Sequence, residues 1–173
     1  MKTNCEIHCH DNITVRVHDK DGNPVKIFKA NKFLSKLLGF PVGHWVNELH
    51  DSNLITTAGL AQFGNIATNS GATTKFQYIA IGSDNTTPTT ADTTLGTELT
   101  ATGLARKAAT HGSSGASQTL NATFTAPSST TVNETGVFDD ASVGVMLNRY
   151  VFGSPISLET GSSIEVDHEF TLS

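Results

Sequence analysis

The sequence predicts a mainly β protein: a β-sandwich or jelly-roll-like domain with an N-terminal hairpin and one or two short helices. Three observations lead there. The composition favours strands and turns: hydrophobic residues make up 37% and charged residues 16%, against typical values of roughly 45–50% and 25%. Thr, Ser, Asn and Gly fill the difference, and Thr suits strands while Gly and Asn suit turns. The run Phe76-Gln77-Tyr78-Ile79-Ala80-Ile81 is nearly all apolar, as in a strand buried inside a sheet. At the far end Ile164, Val166, His168, Phe170 and Leu172 alternate with Glu165, Asp167, Glu169 and Thr171, the two-residue period of a half-buried strand.

The elements follow in chain order. Residues 1–10 read as an arm. Ile13, Val15 and Val17 alternate with Thr14, Arg16 and His18, a half-buried strand. Asp19-Lys20-Asp21-Gly22-Asn23 is a turn, and Val25 and Ile27 resume the alternation, which makes a hairpin with Gly22 at positive φ. Asn31 caps a helix through Leu38, ended by Gly39 and Pro41, with Phe33, Leu34, Leu37 and Leu38 on one apolar face. A second helix runs from about Thr57 to Ala67, with Leu60, Phe63, Ile66 and Ala67 on one face; Gly59 and Gly64 weaken it.

From residue 75 the pattern is β. Residues 84–102 hold nine Thr and one Pro, a long polar loop of the sort that often serves interactions. Strands are expected near 103–111, 117–125, 131–139, 145–152 and 164–172. Between strands lie Gly112-Ser113-Ser114-Gly115, Pro127-Ser128, Asp139-Asp140 and Glu159-Thr160-Gly161. Turns at such spacing suggest two packed sheets. The chain divides into residues 1–54 (arm, hairpin, short helix) and residues 55–173 (sandwich domain). No internal repeat is present.

Charge is unevenly spread. Residues 1–36 hold seven Lys/Arg against four acids, net +3, and the remainder four against twelve, net −8. Such an asymmetry can steer docking onto an acidic neighbour. A pI near 5.7 with few basic residues excludes a nucleic-acid footprint. Met1 to Cys5 lead into polar residues rather than an apolar leader. The uncharged stretch 52–74 is too rich in Asn, Thr and Gln to span a bilayer. A soluble protein made in a cytoplasm is expected, and the four Asn-x-Thr sequons follow from Asn and Thr abundance.

The chemical candidates are few. Cys5, His8, Cys9 and His10 are the residue types that bind zinc, and His18 could add a distant ligand. Zinc sites, however, bring together two separated ligand pairs, and adjacent Cys9 and His10 do not reach one tetrahedral ion easily. Disulfides between copies or free thiols are the other readings. Asp19 to Asn23 begins like a calcium loop, but Pro24 and Ala30 stand where the EF-hand needs Gly and Glu. Gly112-Ser113-Ser114-Gly115 lacks the spacing of a nucleophile elbow, and no phosphate-binding glycine loop is present. His168 reads as a hydrogen-bonded core histidine, and Trp45, beside His44, as core. Glu134 and Arg149 sit in or beside apolar strands. Buried charges need partners, so a Glu134–Arg149 or Glu98–Arg106 bridge is expected. No catalytic, cofactor or metal residues are assigned.

The ordered set Tyr78-Ile79-Ala80-Ile81-Gly82, Thr87-Pro88, Asp92, Leu95, Glu98, Arg106, Glu134-Thr135-Gly136-Val137-Phe138-Asp139, Met146-Leu147-Asn148-Arg149 and Phe152, with the closing alternating strand, resembles tailed-bacteriophage virion proteins over about residues 55–173. The opening hairpin over 15–28 resembles the start of such proteins. The Cys/His arm and residues 40–50 depart from the pattern. The resemblance implies a non-enzymatic structural protein of the virion: a capsid decoration (cement) protein, a homotrimer or other homo-oligomer, partnered by the major capsid protein and clamping it through the arm and the Thr-rich loop. Its alternative is a tail, baseplate or fibre-attachment protein. A carbohydrate-binding or hydrolytic sandwich would want more exposed aromatics than one Trp provides.

Overall fold

The computed structural model describes residues 9–40, 42–68 and 74–172. Strand β1 (Cys9–His18) has the alternation its sequence dictates, with Ile13, Val15 and Val17 buried. At the turn the Asp19 carboxylate accepts the backbone N–H groups of Asp21 (2.9 Å) and Asn23 (2.8 Å), while Gly22 adopts φ +83°. Only Pro24–Val25 (β2) pair back onto β1. The chain then leaves the sheet: β3 (Ile27–Ala30) pairs with β4 (Gly43–Val46) in a separate two-stranded ribbon.

Helix α1 (Lys32–Leu38) bridges that ribbon. The Asn31 side chain accepts the Leu34 N–H at 3.0 Å, and Gly39 closes the helix at φ +75°. Next come β5 (Glu48–Ser52), which pairs with β1, and β6 (Leu54–Ile55), which pairs with a later strand. Helix α2 (Thr57–Thr68) is capped by Thr56, whose hydroxyl accepts the Gly59 N–H (2.9 Å) and donates to the Met146 carbonyl (2.6 Å). The apolar face expected of α2 is corrected. Leu60 is 57% exposed, Phe63 and Ile66 are half-buried, and Gly59 is the buried position. The helix lies so close to the sheet that a Cβ at Gly59 would stand 2.4 Å from the Leu147 Cα. Glycine is therefore the contact point rather than a weak place in the helix.

The remaining strands are β7 (Tyr78–Gly82), β8 (Lys107–Ala108), β9 (Thr110–Ser114), β10 (Ser117–Thr125), β11 (Thr130–Phe138), β12 (Met146–Leu158) and β13 (Ser163–Leu172). Two antiparallel sheets result. One runs β2-β1-β13-β10-β9, with β5 also on β1; the other runs β6-β12-β11-β7-β8. They share one core. Val15, Phe124, Ile164 and Val166 from the first pack in the same cluster as Ile79, Val132, Ile156 and Leu158 from the second. Thus β1, from the first expected segment, pairs along its whole length with β13, from the second.

Two strand expectations change. No single strand covers 103–111. Residues 101–105 turn, with Gly103 at φ +87° and the Leu104 and Ala105 N–H groups on the Ala101 carbonyl. The chain then enters one sheet as β8 and crosses to the other as β9, so this stretch is a corner. The strand expected over 145–152 continues to Leu158, its register shifted against β11 between Val132 and Glu134.

Candidate interaction surface and the ionic lock

Arg149 stands on β12 opposite Gly136 of β11, and Glu134 lies two residues before that partner. Both side chains are buried, Glu134 completely. The guanidinium reaches three carboxylates: Nε donates to Glu134 (2.8 Å), Nη1 to Asp92 (2.7 Å), and Nη2 to Asp84 (2.9 Å) and the Thr86 hydroxyl (3.3 Å). Three carboxylates around one cation would repel one another unless further donors met them, and the loop backbone supplies these. Glu134 accepts N–H groups from Thr97 (2.9 Å), Gly96 (3.1 Å) and Asp84 (3.3 Å). Asp92 accepts the Thr89 N–H and hydroxyl, and Asp84 those of Thr86. The Thr86 hydroxyl foremost, then its N–H and Arg149, hold Asp84 below the usual aspartate range despite its desolvation. At Asp92 burial pushes the other way, but hydrogen bonds from Thr89 and Arg149 outweigh it and the carboxyl is again held low.

The second expected bridge is also formed. Arg106 grips Glu98 with two bonds (3.0 and 2.7 Å), donates to the Asp140 and Val143 carbonyls (2.8 and 2.6 Å), and lies 3.6 Å above the centre of the Phe138 ring. Together the two arginines fasten both ends of the Thr-rich segment to the sheet. Leu95 adds an apolar anchor beside Ala80, Phe138 and Met146. Sequence alone marks this segment as a free interaction loop; its charged residues in fact face inward.

His168 is a core histidine in a buried polar seam. Its Nδ1 is 3.4 Å from Asp11 and its Nε2 3.4 Å from the Thr135 hydroxyl, which donates to the Ala80 carbonyl at 2.9 Å. Asn148 donates to Asp11 and accepts the Val137 N–H at 2.8 Å. Asp11 and Asn148 are invisible as partners in the sequence because 137 residues separate them. Among the described residues no group of three or more His, Cys, Asp or Glu is placed to hold a metal ion. Cys5 and His8 lie outside the described residues, as do the side chains of Cys9 and His10.

The most exposed apolar surface is elsewhere. Eight large hydrophobic residues are exposed among the described residues, and six fall within residues 25–45: Val25, Leu34, Leu37, Leu38, Phe40 and Trp45. They lie on and around the β3–α1–β4 unit. The reading of Trp45 as core is therefore corrected: it is 65% exposed and packs edge-to-face with Phe28 at a centroid distance of 5.5 Å. The reason is local. A two-stranded ribbon and a seven-residue helix are too small to enclose their own apolar side chains, and Leu37 stays 68% exposed. The same stretch carries Lys26, Lys29, Lys32 and Lys36, and residues 22–47 contain no carboxylate. The unit is thus an apolar projection of purely positive charge on an acidic body. Comparison with protein-family models, with curated proteins and with solved structures finds no match for this chain.

Proposed function

We propose that this chain is a bacteriophage virion structural protein, a capsid decoration protein that binds the outer shell and stabilises it. The observation that carries the reading is the exposed apolar and cationic β3–α1–β4 projection, a surface suited to another protein. Contiguous exposed apolar residues of this kind mark interaction sites, and lysines at their edge favour an acidic partner. The motif residues behind the resemblance support a mechanical role. Asp92, Glu98, Arg106, Glu134 and Arg149 all belong to the two ionic clusters that fasten the Thr-rich segment. Such a body transmits load through a fixed shape.

The mechanism is added interface. A protein that binds the assembled shell and not its dissociated subunits stabilises the shell by mass action. A standard interface buries roughly 1,600 Å², and many copies on one particle make modest contacts effective together. In this reading the projection docks alongside the arm and the Thr-rich loop, through which the resemblance implies clamping.

Antibody labelling of intact virions, imaged by electron microscopy, tests the reading. Labelling over the whole head is expected, and shells lacking the protein should break at lower temperature. Label confined to the tail or its tip would replace decoration with a tail, baseplate or fibre-attachment role. Shells should bind Leu37→Glu and Trp45→Glu proteins at least tenfold more weakly than the parent.

A further inference from the structure

A histidine sealed into a core beside a carboxylate ties its protonation to the fold. The side chains of His168 and Asp11 are both completely enclosed, and Thr135 and Asn148 beside them are buried as fully. Their hydrogen bonds restrict where protons can sit. Thr135 gives its one hydroxyl proton to the Ala80 carbonyl. Toward His168 Nε2 it can then only accept, so Nε2 carries a proton. Asn148 accepts the Val137 N–H through Oδ1. That bond turns its Nδ2 toward Asp11 and toward His168 Nδ1, the latter 3.2 Å away.

Nδ1 and the Asp11 Oδ2 then face each other at 3.4 Å. With a neutral ring and an ionised carboxylate, both are acceptors, and both depend on the one Asn148 amide. Asp11 Oδ1 is buried with no donor among the described residues. A buried carboxylate so poorly met is costly. One further proton removes the conflict wherever it sits. On Nδ1 it makes an ion pair; on Asp11 it makes a neutral carboxyl that donates to Nδ1. It belongs to the pair rather than to either residue. The neighbouring groups are apolar or already engaged. Ile13 and Leu120 stand opposite His168 on β1 and β10, Ile55 stands opposite Asn148 on β6, and α2 carries no charge. On β5, Asp51 accepts the Tyr150 hydroxyl at 2.6 Å, and burial, then Asp51, push that phenol well above its ordinary value. Glu165, Asp167 and Glu169 alternate to the outer face of one sheet, and Glu134 and Arg149 to that of the other. The side chains of Cys9 and His10 lie outside the described residues.

We propose that the folded chain holds one proton on the Asp11–His168 pair at neutral pH, and that its loss at mildly alkaline pH unlatches the start of β1 from β13. Asp11 is the third residue of β1 and stands opposite Phe170. Its backbone carbonyl also accepts the Asn53 N–H at 3.3 Å. Through Asn148 the pair joins this end of β1 to the second sheet as well. Further along, Ile13, Val15 and Val17 hold β1 by apolar packing alone, which pH does not touch. The effect is therefore concentrated at the root of the N-terminal arm. The residues involved are distinct from the β3–α1–β4 projection, and the inference does not depend on shell binding.

The test uses the full chain, labelled with 13C and 15N. At pH 7.5 the Asp11 carboxyl carbon and the His168 ring nitrogens should report the proton, as a protonated carboxyl or as two protonated nitrogens. An imidazole in an unfolded chain is half-protonated near about pH 6.5. Above that pH the unfolded chain has released a proton that the folded chain keeps, so stability falls as pH rises. The unfolding constant in urea should therefore rise about tenfold per pH unit between pH 7.5 and pH 8.5. Asp11→Asn removes the charge, keeps an acceptor for Asn148 and offers an amide N–H to Nδ1. Its unfolding constant should lack that rise. Amides 10–12 should lose exchange protection with pH more steeply in the parent than in Asp11→Asn. An ionised carboxyl beside a bare Nδ1 at pH 7.5 would overturn the proposal from the parent alone, even where Asp11→Asn fails to fold. So would equal pH dependence of parent and variant, in unfolding or in exchange at residues 10–12.

Discussion

Arg149 concentrates more of the fold than any other single side chain described above. It holds Glu134, Asp92 and Asp84 at once, and Glu134 in turn holds three backbone N–H groups of the Thr-rich segment. Removing one partner of a buried ion pair leaves an uncompensated charge, which typically costs about 3–5 kcal/mol. Arg149→Met should therefore lower the unfolding free energy by about that amount, read from urea denaturation. Arg149→Lys should recover only part of it, because a single ammonium cannot fork to three carboxylates. Acid should act through the same residues. Asp84 and Asp92 are held below their ordinary value of 3.8. A carboxyl whose pKa is lower in the folded than in the unfolded state contributes stability above the ordinary value, and the contribution disappears as pH falls through the folded one. The urea midpoint should thus drop between pH 5 and pH 3, and Asp92→Asn should drop less over that range. Glu134 and Arg149 were legible in the sequence because charges beside apolar strand residues require partners. That Asp84 and Asp92 complete the cluster was not, since both sit in a loop with no period to reveal which way they face.

The elements divide by whether a local rule governs them. Helix α1 begins after Asn31 and ends before Gly39, and β13 buries Ile164, Val166, His168 and Phe170, as cap and alternation dictate. Helix α2 has the expected extent but not the expected contact, because its packing depends on the absence of a side chain. A Gly→Ala change inside a helix normally stabilises by about 1 kcal/mol. Gly59→Ala should do the opposite and cost about 1–3 kcal/mol, since the new methyl meets the Leu147 backbone. Gly64→Ala in the same helix meets open space and should show the ordinary gain. Thermal unfolding of the two variants side by side separates the effects. The β3–α1–β4 unit is the reverse case. Its helix was readable, whereas the pairing of β3 with β4 and the exposure of Trp45 and Leu37 were not, because local patterns identify an element or a face without saying what pairs with it or covers it.

At the scale of the whole molecule, the long-range pairing of β1 with β13 dominates. Ten residue pairs join Cys9–His18 to Ser163–Leu172, and Ile13, Val15 and Val17 share the common core with Ile164, Val166 and Phe170 across that pairing. A chain shortened before residue 163 should fail to unfold cooperatively, with loss of dispersed amide signals across β1 and β10 as well as at the missing strand. Chains dominated by such non-local contacts fold in milliseconds to seconds or slower. Alternation within β1 and β13 shows that both are half-buried strands, but no local signal tells one strand which other it will join. The sheets therefore join residues across the division expected near residue 54.

This pairing has a consequence during synthesis. At roughly 5–20 residues per second, about 8–30 s separate the emergence of β1 from that of β13. Through that interval β1 lacks its main hydrogen-bonding neighbour, and Ile13, Val15 and Val17 have no closed core to enter. The finished fold thus reports that the ribosome has reached the last strand. A prematurely terminated copy lacks the framework that holds the β3–α1–β4 unit in place. Only chains that include β13 complete both sheets, a selection made by the topology itself.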